Sequence, residues 1–208
     1  MYHLELTTSL VTAQDDDVVR ETTVGGLLRE VAAEHPGAPA LLEVGMEGQT
    51  GRSWTYGELL ADSERLALAL ASRFSPGERV AVWAPNTPEW VLMEYACALA
   101  GLVLVTANPA YQASELRYVL EQSGSAALFL FNSYRGNPMD EIAEEACRGL
   151  TEVREIIDME DAGALYRTGD RPGALPDVDP GDAAQIQYTS GTTGFPKGAV
   201  LSHRGLTN

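Results

Sequence analysis

The sequence predicts an α/β fold, a mostly parallel sheet flanked by helices. Three observations carry that expectation. Continuous apolar runs such as RVAVWA (79–84), LVLVTA (102–107) and AALFLF (126–131) read as strands buried on both sides. Helical patterns of about 10–15 residues separate them, the spacing of βαβ units. Hydrophobic residues make up 45% of the 208 and charged residues 21%, which is enough apolar material for a sizeable core.

Residues 1–20, with the run Asp15–Asp17, are expected to form an N-terminal arm with a solvated acidic surface, and residues 21–208 the domain itself. Thr23 is placed to cap a helix with the apolar stripe Val24, Leu27, Leu28 and Val31, ending near His35-Pro36-Gly37. PALLEV (39–44) reads as a strand that a glycine-rich turn sends back into SWTY (53–56), a hairpin. Thr55 and Glu58 match the S/T-x-x-E box, in which two free amides at a helix start are satisfied reciprocally. The helix behind them groups Leu59, Leu60, Leu66, Ala67 and Leu70, and stops before Pro76-Gly77.

Thr87 as cap and Pro88 at the first helical position open the next helix, EWVLMEYACALAG, which is apolar nearly all round and therefore buried. Further helices are expected over 114–124 and 140–150, a strand over 153–159, and a loop over 160–182. AAQIQYTS (183–190) and GAVLSH (198–203) read as strands on either side of a glycine-rich connection. Trp83, Trp90 and Tyr95 are read as core.

Charge and cysteine content exclude several function classes. A net charge of −16, from 30 acidic and 14 basic residues, opposes binding a nucleic acid over a broad face, so any phosphate site must be local. Cys97 and Cys147 suit small buried residues in a reducing compartment. His3, His35 and His203 are too scattered for a zinc-type spacing. The first residues lack a basic head and apolar core, and the most apolar stretch (91–105) is short and interrupted by Glu94 and Gly101. A cytoplasmic protein without an integral membrane segment is expected.

The chemistry-bearing stretch is YTSGTTGFPKGAV (188–200). Glycines at 191, 194 and 198 free the backbone to approach a ligand, and successive amides in such a turn can nest phosphate oxygens. Thr189, Ser190, Thr192 and Thr193 add hydroxyl donors, and Lys197 a cation for the outer phosphates. The stretch is not the P-loop pattern G-x-x-x-x-G-K-[ST], because Pro196 stands at the required glycine and Gly198 at the required hydroxyl. Nor does it contain G-x-G-x-x-G.

YTSGTTGFPKGAVLSH resembles the phosphate-binding signature of the adenylate-forming superfamily and meets [YF]-T-S-G-[ST]-T-G-x-P-K-G throughout. The likeness extends over nearly the whole chain. NPAYQASELRYVL (108–120) is similar to the medium- and long-chain fatty acyl-CoA synthetase branch.

The resemblance implies an incomplete N-terminal domain of that fold and a two-step reaction. A carboxylate attacks the α-phosphate of Mg-ATP to give acyl-adenylate and pyrophosphate; CoA then displaces AMP. It implies that Thr189, Ser190, Gly191, Thr192, Thr193, Gly194 and Lys197 grip the β- and γ-phosphates, with Lys197 an electrostatic stabiliser rather than a base. Small-molecule substrates (ATP, a fatty acid and CoA) and Mg2+ are implied for a full-length parent. The adenine pocket, the magnesium-binding glutamate and a late lysine belong to later regions of the family, so this chain is expected to be inactive alone and prone to self-association.

Two alternatives stand beside this reading: a ligase of the same superfamily for an aryl, short-chain or amino acid, and a non-catalytic nucleotide-binding or interaction module. YRTGD (166–170) copies the family's ribose-binding string but precedes the phosphate loop, so Asp170 is not assigned to the site. His203 is expected to cap the next element or to pack near the loop.

Overall fold

The computed structural model describes residues 18–45, 47–171, 173–189 and 196–208. Of the expected arm over 1–20, residues 1–17, with Asp15–Asp17, lie outside the described residues. Helix α1 (Val24–Glu34) opens as its sequence predicts, with Thr23 Oγ1 accepting from the Gly26 amide at 2.9 Å. Strands β1 (Pro39–Val44) and β2 (Thr50–Thr55) form the antiparallel hairpin. Helix α2 (Tyr56–Ala71) starts on the capping box. The Glu58 amide donates to Thr55 Oγ1 at 3.3 Å, and the Thr55 amide donates to Glu58 Oε2 at 2.8 Å.

Strand β3 (Arg79–Trp83) leads into α3 (Pro88–Ala100), capped by Thr87, and then β4 (Val103–Ala107), α4 (Ala113–Ser123) and β5 (Ser125–Leu130). Both α3 and α4 stop at left-handed glycines, Gly101 at φ +67° and Gly124 at φ +60°, a conformation that side chains with a Cβ rarely adopt. A small hairpin that the sequence reading did not include follows. β6 (Ser133–Tyr134) and β7 (Asn137–Pro138) turn through Arg135 and Gly136, both at positive φ. Next come α5 (Met139–Cys147) and β8 (Glu155–Asp158). The stretch expected as loop contains a single helical turn, α6 (Ala162–Leu165), because Asp161 Oδ1 accepts from the Gly163 amide at 2.8 Å and so caps it. β9 (Ala183–Thr189), β10 (Lys197–Ser202) and α7 (His203–Thr207) complete the order.

Six strands form the main sheet in the order β10-β9-β4-β3-β5-β8, and only the β9–β10 pair is antiparallel. The sheet is therefore mostly parallel, as expected. Alternate residues of its central strands feed two cores. Val80, Val82, Leu104 and Phe129 meet the α1–α3 layer through Leu28, Leu66, Leu70 and Met93. Ala81, Trp83, Val105 and Leu128 meet the α4–α5 layer through Leu116, Val119, Leu120 and Met139. Burial on both sides is why β3, β4 and β5 read as unbroken apolar runs. Trp83 is fully buried and its indole donates to the Asn108 carbonyl at 2.8 Å, whereas Trp90 and Tyr95 are half-buried at the rim of the first core. Cys97 is buried and Cys147 half-buried, and neither forms a disulfide. Burial pushes both thiols up, Cys147 to about 11, so neither is a ready nucleophile.

YRTGD has a packing role. Arg65 stacks on the Tyr166 ring at 4.4 Å, Arg167 donates to Glu155 at 2.7 Å, and the Gly169 amide donates to Ser72 Oγ at 2.7 Å. A Cβ at Gly169 would lie 2.4 Å from the Ser72 carbonyl oxygen, so only glycine fits this approach to the end of α2. Glu155 also takes Arg73, whose side chain is 1% exposed and lies against the rings of Phe74 and Phe129. Burial works against the Glu155 charge, yet Arg73 and Arg167 together hold its carboxyl below the usual range.

His203 departs from both sequence expectations. Ser202, not His203, caps α7, and β10 carries His203 to the end of the sheet opposite Lys197, about 20 Å along the strand. There it is fully buried, and its Nδ1 accepts from the Val24 amide at 3.3 Å, capping α1 across 179 residues. Burial holds its pKa below the ordinary value, with Asp182 opposing.

Two measurements check these contacts. Arg73→Ala is expected to lower the urea-unfolding free energy by about 3 kcal/mol, the low end of the scale for breaking a buried ion pair because Glu155 is partly exposed. Arg52→Ala, which removes a half-exposed partner of Glu43 and Glu89, should cost under about 1 kcal/mol. Because the folded His203 pKa is depressed, its contribution is full above an ordinary imidazole pKa of about 6.5 and is lost as pH falls through the folded value. His203→Asn keeps an acceptor that does not titrate in this range. Its unfolding free energy should fall less than the wild type's between neutral and mildly acidic pH, and parallel curves would refute the role.

Candidate functional site

Strand β9 leaves the sheet beside β4, with Leu104, Val105 and Thr106 aligned to Gln185, Ile186 and Gln187 in parallel register. Its last residue, Thr189, thus stands at the carboxyl end of the parallel strands, the edge where open α/β sheets place their ligands. Strand β10 returns antiparallel, with Lys197 opposite Thr189 and Gly198 opposite Tyr188. Residues directly opposite in such a pair share a face, about 4.5–5.5 Å apart at Cα. The hydroxyl of Thr189 and the ammonium of Lys197 therefore arise side by side, both exposed, at the two feet of the connection 190–196. Ser190, Gly191, Thr192, Thr193 and Gly194 lie outside the described residues.

Alternation divides the neighbours of the two feet. Ile186 and Tyr188 face the α4–α5 core. Gln185 and Gln187 lie on the opposite face, with Thr189. There Gln187 Nε2 donates to Gln185 Oε1 at 2.8 Å, and Gln185 Nε2 donates to Glu94 Oε1 at 2.7 Å, a chain of amides ending on α3. Burial raises the Glu94 pKa, and the hydrogen bond from Gln185 partly offsets the rise.

Gly198 has a different task from the one read in the sequence. It lies inside β10, where a Cβ would stand 3.0 Å from Ile186 Cγ2 and 3.2 Å from the Tyr188 ring. Its missing side chain lets β10 close on Tyr188, so this glycine serves strand packing.

The cation is isolated in two senses. Lys197 is the only lysine in the sequence, the other 13 basic residues being arginines. It forms no ion pair among the described residues, although the chain carries 30 carboxylates. Arg52, Arg73, Arg154, Arg167 and Arg204 are paired with glutamates, whereas Arg79, Arg135, Arg148 and Arg171, like Lys197, form no ion pair among the described residues. An unpaired ammonium beside a hydroxyl, at the carboxyl end of the strands, can bind an oxyanion.

Among the described residues, no three or more His, Cys, Asp or Glu side chains converge to hold a metal. YRTGD is not brought to the site. It docks on α2 and β8, and β8 lies about 19 Å from β9 across the sheet.

Comparison with known proteins bears on the family and the fold. The family model described as AMP-binding enzyme matches residues 28–208. The medium-chain acyl-CoA ligase ACSF2 of Danio rerio, a mitochondrial protein by its name, is 29% identical over 98% of this chain and 37% of its own length. Among solved structures, the apo MbtA of Mycobacterium smegmatis superposes with TM-score 0.76 at 27% identity, over 89% of this chain and 34% of that one. A fatty acyl CoA synthetase of Mycobacterium tuberculosis gives TM-score 0.69 at 29% identity, over 87% and 34%. The chain thus spans roughly a third of the length of the curated relatives it matches. With the family model covering all but the first 27 residues, the chain belongs to the AMP-binding enzymes.

Proposed function

We propose that this chain carries the polyphosphate-binding part of an AMP-forming fatty acid–CoA ligase. The observation that supports this most is the pairing of Thr189 with the sole lysine at the feet of a TSGTTG connection. In the first half-reaction a carboxylate oxygen bonds to the α-phosphorus of ATP. The bond from that phosphorus to the bridging oxygen breaks, and pyrophosphate leaves with the electron pair. In the second half-reaction the CoA thiolate attacks the acyl carbonyl, and AMP departs.

Charge builds on the leaving pyrophosphate, so donors placed there lower the barrier. Thr189, Ser190, Gly191, Thr192, Thr193 and Gly194 are assigned to hold the β- and γ-phosphates through amides and hydroxyls, with Lys197 as the compensating charge. Mg2+ is assigned to accompany ATP, and no step is routed through it. Residues 21–208 are assigned to part of the AMP-binding domain, preceded by an arm over 1–20.

The share of its relatives that the chain spans supports the reading that it is inactive alone. β10, an edge strand with Val200 64% exposed, supports self-association. Among the described residues, no helix is long and apolar enough to cross a membrane. A cytoplasmic location is our reading of the composition.

Two experiments test the proposal. The purified chain should catalyse no ATP–pyrophosphate exchange with any fatty acid, and exchange would overturn its inactivity. An amine-acylating reagent should modify Lys197 and the terminal amine only. Millimolar Mg-ATP or pyrophosphate should protect Lys197 severalfold and leave the terminal amine unprotected; unprotected acylation of Lys197 would overturn the phosphate assignment.

A further inference from the structure

Both feet of the 190–196 connection are tied to one turn of α4. Tyr118 Oη donates to the Pro196 carbonyl at 3.2 Å, and Pro196 directly precedes Lys197. Gln122, one turn further along α4, donates its Nε2 to Tyr118 Oη at 3.0 Å. That donation occupies a phenol lone pair and leaves the phenol proton for the carbonyl, so the two bonds run in one direction and polarise each other. On the other foot, Tyr188 directly precedes Thr189, and its Oη donates to the Val119 carbonyl at 3.4 Å. Tyr118 and Val119 are consecutive. The hydroxyl and the ammonium at the mouth each stand one residue from an anchor on the same helical turn.

We propose that Tyr118 is a positioning residue for Lys197. Through Pro196 it fixes the backbone from which the ammonium reaches a bound polyphosphate. The inference rests on the reading of Lys197 as a polyphosphate-binding cation. Beyond the β9–β10 ladder, its physical basis is the lack of an ion pair at the ammonium. Lys197 forms no ion pair among the described residues, so its reach is set by its backbone origin. Proline fixes its own φ, so holding its carbonyl largely fixes the path into Lys197. The bare Gly198 keeps β10 against the Tyr188 ring and brings the second anchor to the same place. The stretch 108–120, whose role the loop motif alone does not explain, then supplies the anchors for Pro196 and Tyr188.

The test uses the full chain and inorganic tripolyphosphate, with affinity read by calorimetry at low salt and urea unfolding measured alongside. Tyr118→Phe keeps the ring and removes the hydroxyl. It should weaken tripolyphosphate binding about fivefold, the scale of one ordinary hydrogen bond, with little change in the unfolding midpoint. In a Lys197→Ala background the same substitution should change nothing, because its effect passes through the lysine. If Lys197→Ala abolishes binding altogether, Tyr118→Phe alone decides. If that variant does not fold, Gln122→Met carries the same comparison, since it removes the amide that orients the phenol. Unchanged affinity in Tyr118→Phe, or an equal loss in both backgrounds, overturns the positioning role and leaves the phosphate assignment standing. Failure of the wild-type chain to bind tripolyphosphate overturns both.

Discussion

The register of β9 against β4 is the constraint on which both the core and the candidate site depend. With Gln185, Ile186 and Gln187 beside Leu104, Val105 and Thr106, Ile186 and Tyr188 enter the α4–α5 core and Gln185 reaches Glu94. A slip of one residue would turn two glutamines toward an apolar layer and carry Ile186 and Tyr188 out of it. The same register sets Thr189 at the sheet's carboxyl edge and, through β10, places Lys197 opposite it. The packing of Ile186 and Tyr188 against this layer thus helps to specify the site, and neither needs to touch a ligand.

Charge sharpens this placement. In a chain of net charge −16, the Lys197 ammonium forms no ion pair among the described residues. Elsewhere guanidinium groups are consumed structurally: Arg73 and Arg167 converge on Glu155, Arg154 meets Glu78, and Arg79 donates to the Ser123 and Gly124 carbonyls at the end of α4. An arginine fork suits such multidentate tasks, whereas a lysine supplies a mobile point charge for an outer phosphate. The acidic background repels extended polyanions, and one ammonium at the strand edge can still take a compact one.

Features written in short-range chemistry were legible in the sequence. Thr23, the Thr55–Glu58 box and the Thr87-Pro88 pair each satisfy amides within three residues, so their signals sit within the elements they begin. The central strands were legible because burial on both faces leaves few polar positions. Long-range contacts were not. Nothing near His203 indicates that its imidazole caps a helix 179 residues away, and nothing near Tyr118 points to Pro196, 78 residues on. Gly198 looked like part of a phosphate nest because its packing role appears only once β10 lies on Tyr188. A signal for Lys197 did exist in the composition, as the single lysine among 14 basic residues.

That uniqueness also provides the most direct measurement. A chain grown with nitrogen-15 lysine gives one lysine amide resonance, from Lys197. The account predicts that tripolyphosphate shifts this resonance in a saturable way, while the same concentration of a neutral nucleoside leaves it in place. A resonance unmoved by tripolyphosphate would contradict the claim that the two feet of this hairpin hold a nucleotide's phosphates.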